Sequence, residues 1–441
     1  MRAATHELAS PGLACAYAAA LLEGLGVPPE CPAPLAEPHP ALEWARSGAM
    51  ALTGRSEGPP RLEAAGVATV ARGVALALSA LAAQHGVELR VDGPALLGER
   101  AALLGLTRRG GVSAGGASRL LRAADGWIAA SLPRRDDLAS LPAWLDVEPI
   151  GDVWRALAER AREHAAAELV ERARLLGLAV APAAEPPSEI PPWMRVAARG
   201  TRRRRNLGPP RVVDLSSLWA GPLCGRLLRA AGARVLKVES RSRPDAGREH
   251  AAFFARLNED KQSVVLDFES AAGRTALRQL VAEADVVIES ARPRALAQLG
   301  IDAEALVAEH PGLVWIAISG YGRREPGASW VAFGDDAAAA AGLAWLAGRG
   351  LGEPIFCADA VADPLTGLHA AAAALSGLAR GEAVLVDLAL RDVAAQAARF
   401  ADAAKGARVI ATADGFEVVA ESARQVVSAP FVATSPSAAS R

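Results

Sequence analysis

Between residues 211 and 322, short apolar runs alternate with longer segments whose apolar positions recur at helical spacing. The runs are RVVDL (211–215), RVLKVE (234–239), SVVLDF (263–268), DVVIES (285–290) and the opening of LVWIAISGYG (313–322). GPLCGRLLRAAG, AAGRTALRQLVAEA and Ala303 to His310 read as the helices between them. Strands alternating with helices of this length predict βαβ units and a parallel sheet, with a ligand crevice beyond the carboxyl ends of its strands. The first half has a different rhythm. Ala41 to Thr53 is a short helical pattern, and Val67 to His85 is apolar nearly all round, which predicts a buried helix. VELRV (87–91) reads as a strand, Gly110 to Gly116 as a glycine-rich loop, and Asp125-Gly126 as the turn of a hairpin. Asp152 to Leu176 reads as helix, closed by Gly177 before LAVAP.

The expected fold class is α/β: an open parallel Rossmann-like sheet domain plus a smaller α+β domain. The boundaries are residues 1–182 for the small-domain-like region, 183–210 for a Pro/Arg-rich linker and 211–441 for the large domain. Arg202 to Arg205 is a basic run in that linker. It is isolated and has no interleaved aromatics, so it reads as solvated chain rather than a nucleic-acid patch.

One stretch carries candidate chemistry. In CADAVADPLTGLHAAAAALSGL (357–378), Asp363 reads as a helix N-cap with Pro364 at the first helical position. A carboxylate there faces free N–H groups and the positive end of the helix dipole and is expected to stay ionised. Such a group serves as a cap or as a nucleophile. His369, six residues on, is expected to pack, and nothing near Cys357 activates its thiol.

Composition narrows the classes. With 48 Lys+Arg against 49 Asp+Glu the formal charge is −1, so there is no general pull toward nucleic acid or membrane. The cysteines Cys15, Cys31, Cys224 and Cys357 have no metal-ligand spacing and read as reduced thiols. No apolar run reads as a membrane span and residues 1–12 lack signal-peptide order, so a cytoplasmic protein is expected. Neither G-x-G-x-x-G after the first strand nor a P-loop is present, which argues against dinucleotide and nucleoside-triphosphate sites; H-x-x-x-H and G-x-S-x-G are absent too.

Residues 48–85 align without a gap on 342–379, at an offset of 294. Gly48, Leu52, Gly54, Arg55, Gly58, Pro60, Val67, Gly73 and Leu81 all meet identical partners. Thr69 stands where the second copy has Asp363. Residues 41–92 therefore read as a degenerate copy that keeps a scaffold and lacks the carboxylate.

In succession, VVDLSSLWAGPLCGRLLRAAGARVLKVE, LNEDKQSVVLDFESAAGRTAL, ADVVIESARPRALAQLGID, HPGLVWIAISGYG, GLAWLAG with D-x-x-x-G, and VLVDLALRD make residues 211–392 resemble the class III CoA-transferases of the CaiB/BaiF type. The family includes formyl-CoA and carnitine CoA-transferases and 2-methylacyl-CoA racemases. Asp363 falls on its catalytic aspartate and Gly367 on its glycine. The first half resembles the family's small domain, so the order is rearranged. This chain also departs from the pattern at Ser290-Ala291, Ser240 and Gln262.

The resemblance implies transfer of coenzyme A between an acyl-CoA and a carboxylic acid, with no permanently bound cofactor and no metal. The aspartate attacks the thioester, a mixed anhydride forms, thiolate leaves and then makes an aspartyl-CoA thioester, and an acid collects CoA. Arg241, Arg243, Lys261, Leu266, Arg292 and Arg294 are the expected CoA-contacting residues, the cations for its phosphates. Acyl-CoA and acid are the expected partners, with no nucleic acid or membrane, in a homodimer that covers the buried-looking helices near Val67 and Leu368. The alternatives are a non-catalytic CoA-binding protein of the same fold or a racemase. The racemase lacks its histidine in Phe333-Gly334-Asp335-Asp336.

Overall fold

The structure, a computed structural model, describes residues 12–29, 37–148, 150–203 and 208–439. The start of the chain, Cys31 and the pair Arg204-Arg205 lie outside the described residues.

In the first half, helix α1 (Leu13–Gly24) packs on helix α2 (Gly66–Gln84), and a short helix α3 (Glu99–Leu104) follows. α2 is the Val67 helix expected from sequence. It is long and apolar enough to cross a membrane by length and composition, contrary to the reading that no run is, and most of it is buried inside the fold. Strands β1 (Ser118–Arg122), β2 (Trp127–Ser131) and β3 (Ala179–Pro182) form a small antiparallel sheet whose hairpin turns at Asp125-Gly126. The expected helix over 152–176 is two, Val153–Ala161 and Ala166–Leu175. They close a separate core around Trp144, Leu157 and Ile128.

The second half is built on a seven-stranded sheet. Its strands are β4 (Arg195–Arg199), β5 (Arg211–Asp214), β6 (Arg234–Ser240), β7 (Gln262–Leu266), β8 (Val286–Glu289), β9 (Val314–Ser319) and β10 (Val384–Ala389). Across the sheet the order is β4-β10-β9-β8-β5-β6-β7. The six strands from β5 to β10 run parallel and read 3-2-1-4-5-6 from the β7 edge, the doubly wound order with its reversal at β5. β4 is the exception. It lies within the segment expected to be a linker, yet it pairs antiparallel with β10.

Alternate residues of the central strands feed opposite faces. Val286, Ile288, Val314 and Ile316 join the core shared with the first half, while Val287, Trp315, Ala317 and Leu385 join a second core. Burial on both faces explains why these strands appear as continuous apolar runs without polar alternation.

Helices α4 (Ala220–Ala230), α5 (Gly334–Ala340) and α6 (Ala362–Arg380) complete the site-bearing layer. α6 packs against α4 on one side and α2 on another. The repeat is visible here. Gly48 and Gly342 both have positive φ, at 78° and 89°, and the helices that follow, α2 and α6, each have 19 residues. A Cβ on Gly73 would meet the Ala14 carbonyl of α1 at 2.7 Å, and one on Gly367 would meet the Ala220 carbonyl of α4 at 2.7 Å. Each copy thus presses its glycine onto a neighbouring helix at the same depth. α2 and α6 cover one another within one chain, so they need no second chain to bury them.

Cys224 and Cys357 are free and buried. Cys15 is disulfide-bonded, which departs from the reading of four reduced thiols.

Candidate active site

The loop leaving β5 and the loop entering α6 meet at Asp363. The first is fixed by side chains from the neighbouring strands' ends. Ser217 N–H donates to Ser290 Oγ (3.1 Å), Leu218 N–H to Asp245 Oδ1 (2.9 Å), and Lys237 Nζ to Asp245 Oδ2 (2.8 Å). The second is fixed by Ala358 N–H donating to Thr53 Oγ1 (2.9 Å) and Ala360 N–H to Asp335 Oδ1 (3.0 Å). Leu218, Ala358 and Ala360 have positive φ of 69°, 54° and 43°. Each costs of order 1–3 kcal/mol in a residue with a Cβ. That backbone strain is concentrated on the two loops that converge on one carboxylate.

Asp363 is not the N-cap. Val361 is, and Asp363 sits in the first turn of α6 with its N–H donating to Ala360 O (2.9 Å). The backbone N–H of Ala220, the first residue of α4, favours negative charge on the Asp363 carboxyl. The residue remains partly accessible. Gly334, at the start of α5, leaves room for it: a Cβ there would fall 2.2 Å from Asp363 Oδ2. Burial pushes the Asp363 carboxyl up to about 7, against the pull of Arg100, and Asp335 and Asp359 push the same way. The dipole and N–H argument, which predicts a carboxylate ionised throughout, is therefore outweighed by desolvation.

Three side chains around Asp363 were not singled out from sequence. Arg100, on α3, makes a two-pronged pair with Asp359, Nε to Oδ2 at 2.8 Å and Nη2 to Oδ1 at 2.5 Å. Its guanidinium lies 5.1 Å from the Trp219 ring centre. Asp335 accepts from Ala360 N–H and, at 3.1 Å, from Ser118 Oγ of β1. Burial raises Asp335 to about 6, with Asp359 adding to the rise and Arg100 opposing it. The signal for Asp359 was present in CADAVAD, which holds two aspartates; Arg100 has no local signature.

The expected CoA contacts divide. Arg241 and Arg243 are exposed just beyond β6, and Arg292 and Arg294 are exposed beyond β8, one pair on each side of β5. The Leu266 carbonyl at the end of β7 accepts the Arg241 N–H at 2.8 Å, holding that backbone in place. Lys261 does not fit the expectation. Its ammonium is buried and donates to Asp214 Oδ2 (2.8 Å), Pro222 O (2.8 Å) and Asn258 Oδ1 (2.9 Å). All three N–H donors are used inside the protein, so none is left for a phosphate.

Other candidates resolve as structure. His369 bonds Tyr17 Oη through Nε2 (2.7 Å) and Leu365 O through Nδ1 (2.7 Å), and burial lowers it to about 4. Burial pushes the Cys357 thiol up to about 12. Arg202 pairs with Glu382 (2.7 Å) and Arg203 with Asp285. A cavity of about 500 Å³, lined by Pro210, Asp285 and Gly312, opens at the amino ends of the strands, away from Asp363. Among the described residues no group of three or more His, Cys, Asp or Glu side chains is placed to hold a metal ion.

Known proteins share this second half. A family model described as CoA-transferase family III matches residues 209–427. An acyl-CoA transferase of Fusarium pseudograminearum is 33% identical over 184 residues, which is 38% of this chain and 40% of that protein. A succinate–glutarate CoA-transferase of Agrobacterium fabrum is 31% identical over 209 residues, 43% of this chain and 52% of that one. The chain thus spans about half or less of the curated relatives' own length. A crystal structure of a CaiB/BaiF family protein from Brucella suis aligns with a TM-score of 0.44 and 31% identity, over 49% of this chain and 66% of that one. The matched segment holds the six parallel strands β5 to β10, and the second half of the chain, residues 209–427, belongs to CoA-transferase family III.

Proposed function

We propose that the chain transfers coenzyme A between an acyl-CoA thioester and a carboxylic acid, with Asp363 as the covalent nucleophile. The observation that carries this reading is the setting of Asp363. It is a partly accessible carboxylate at the start of a helix, beyond the carboxyl ends of a doubly wound sheet, where such folds bind ligands.

Each step balances. The ionised Asp363 oxygen attacks the thioester carbonyl, the C–S bond breaks, and CoA leaves as thiolate, giving an acyl-aspartyl anhydride. The thiolate then attacks the Asp363 carbonyl, forming aspartyl-CoA thioester and releasing the donor acid as carboxylate. An acceptor carboxylate reverses the two steps and leaves as its CoA thioester. When the Asp363 carbonyl itself is attacked, the N–H of Ala220, which favours negative charge on that carboxyl, is the candidate oxyanion donor. Arg241, Arg243, Arg292 and Arg294 supply exposed positive charge for the phosphates of CoA on both sides of β5.

One site per chain is part of the reading. Thr69, the counterpart of Asp363 in α2, is buried and its hydroxyl oxygen has no hydrogen-bond partner. A homodimer rests on the family resemblance alone, and light scattering showing an active monomer would remove it.

The test is mass spectrometry after brief exposure to a panel of acyl-CoAs. A covalent adduct on the Asp363 peptide is expected, and Asp363→Ala should lose both adduct and exchange by several orders of magnitude. Full exchange in that variant would overturn the assignment. Bound CoA with no adduct and no exchange would favour the non-catalytic alternative.

A further inference from the structure

Three features lie outside this mechanism: the Tyr17–His369 pair, the cavity at the amino ends of the strands, and the guanidinium beside Asp363. The first is fully bonded inside the core, and in the second Arg203 and Asp285 are already paired with each other. The third carries an inference.

Arg100 comes from the first half of the chain, 259 positions before its partner Asp359. Burial works against its charge, yet the carboxylates of Asp359, Asp335 and Asp363 together hold it protonated. Its two-pronged pair with Asp359 fixes the plane of the guanidinium. The Trp219 ring, one residue before Ala220, whose N–H favours negative charge on Asp363, stands beside it. Ser118, also from the first half, holds Asp335.

We propose that Arg100 is a positioning residue for Asp363: aimed by Asp359 and backed by Trp219, its guanidinium is the counter-charge of the reactive carboxylate, so the first half of the chain completes the active site. The proposal rests on Asp363 being the nucleophile.

The groups facing Asp363 are Arg100 from α3, Asp335 from α5, and Asp359 from the entering loop, with Asp336 behind Asp335. Removing the Arg100 charge should make Asp363 harder to ionise. Removing Asp359 should make it easier, because the guanidinium is released toward it. An opposite charge at close range moves a carboxyl by about 1–3 pH units. The acid limb of exchange should therefore rise by about one unit or more in Arg100→Gln, fall in Asp359→Asn, and return near the wild-type position in Arg100→Lys.

The experiment measures kcat/KM for exchange against pH in the full-length chain and these three variants, alongside the pH dependence of adduct formation by mass spectrometry. Opposite movements of the acid limb in Arg100→Gln and Asp359→Asn support the proposal, because a merely structural role would lower rates without moving the limb in two directions. Folded variants whose limb stays at the wild-type pH overturn it. If Arg100→Gln does not fold, Asp359→Asn and Arg100→Lys decide alone: an unmoved limb in Asp359→Asn overturns it. An adduct on a residue other than Asp363 would instead sink the nucleophile, so the two failures are distinguishable.

Discussion

Replacing Gly367 by alanine asks whether the spacing of α4 and α6 governs the chemistry. A Cβ at Gly367 would lie 2.7 Å from Ala220 O and 2.9 Å from Leu223 Cβ, against 3.4 Å for ordinary contact, so α4 must retreat by about 0.7 Å. Overpacking of this kind costs about 1–3 kcal/mol. Alanine in place of glycine inside a helix returns about 1 kcal/mol. The net loss of stability should be about 0–2 kcal/mol. Gly73→Ala makes the same clash, 2.7 Å from Ala14 O, at the other copy of the repeat. The two variants should therefore unfold alike in urea. They should differ in turnover, because only α4 carries the Ala220 N–H that favours negative charge on the Asp363 carboxyl. Deleting an oxyanion donor costs about 10²–10³ in kcat, and displacing one should cost less, about 10- to 100-fold. Initial exchange rates measured beside urea unfolding test this. If Gly367→Ala exchanges CoA as fast as Gly73→Ala at matched stability, the role given to the Ala220 N–H is wrong.

Two further outcomes follow from buried charges. Asp336 is fully buried and burial lifts it to about 7. The folded state therefore holds a proton that the unfolded chain gives up near 4, so this group's contribution is full below about pH 4 and is lost as pH rises toward 7. Chemical denaturation at pH 5 and pH 8 should show that fall, and Asp336→Asn should flatten it; an equal slope in the variant would refute the assignment. Lys261→Met should cost about 3–5 kcal/mol by leaving Asp214 buried without its partner. It should leave the KM for acyl-CoA unchanged, and a large rise in KM with normal stability would return Lys261 to the phosphate site.

The parallel sheet was legible because its strands are apolar on both faces, and a run such as VVIE or VWIAIS needs no partner information to be read. Asp363 was singled out through the family's D-x-x-x-G, shared with Gly367. Its charge state was not, because the N–H groups of a helix start are visible in sequence and the desolvation that opposes them is not. Lys261 shows the same limit. Its place in LNEDKQS is plain, but only the fold reveals that Asp214, Pro222 and Asn258 take every N–H. β4 was hidden inside a proline- and arginine-rich stretch, where RVAAR has few apolar residues to mark an edge strand. Arg100 was invisible for a different reason: nothing within its own neighbourhood records that Asp359 will sit opposite.

The long span between Arg100 and Asp359 also sets an order of events during synthesis. At about 5–20 residues per second, a ribosome needs roughly 10–50 s to add the 259 positions that separate them. Throughout that interval α2 has emerged and its face toward α6 is bare, a 19-residue apolar helix without its cover. For the first part of the interval Glu99, which in the finished fold is buried against Arg226 and Arg256, is likewise waiting for guanidiniums not yet made. Contacts of such long range form late and slow folding. The first half of the nascent chain thus carries an uncovered apolar helix for that interval, and Asp363 acquires its surroundings only after most of the chain has emerged.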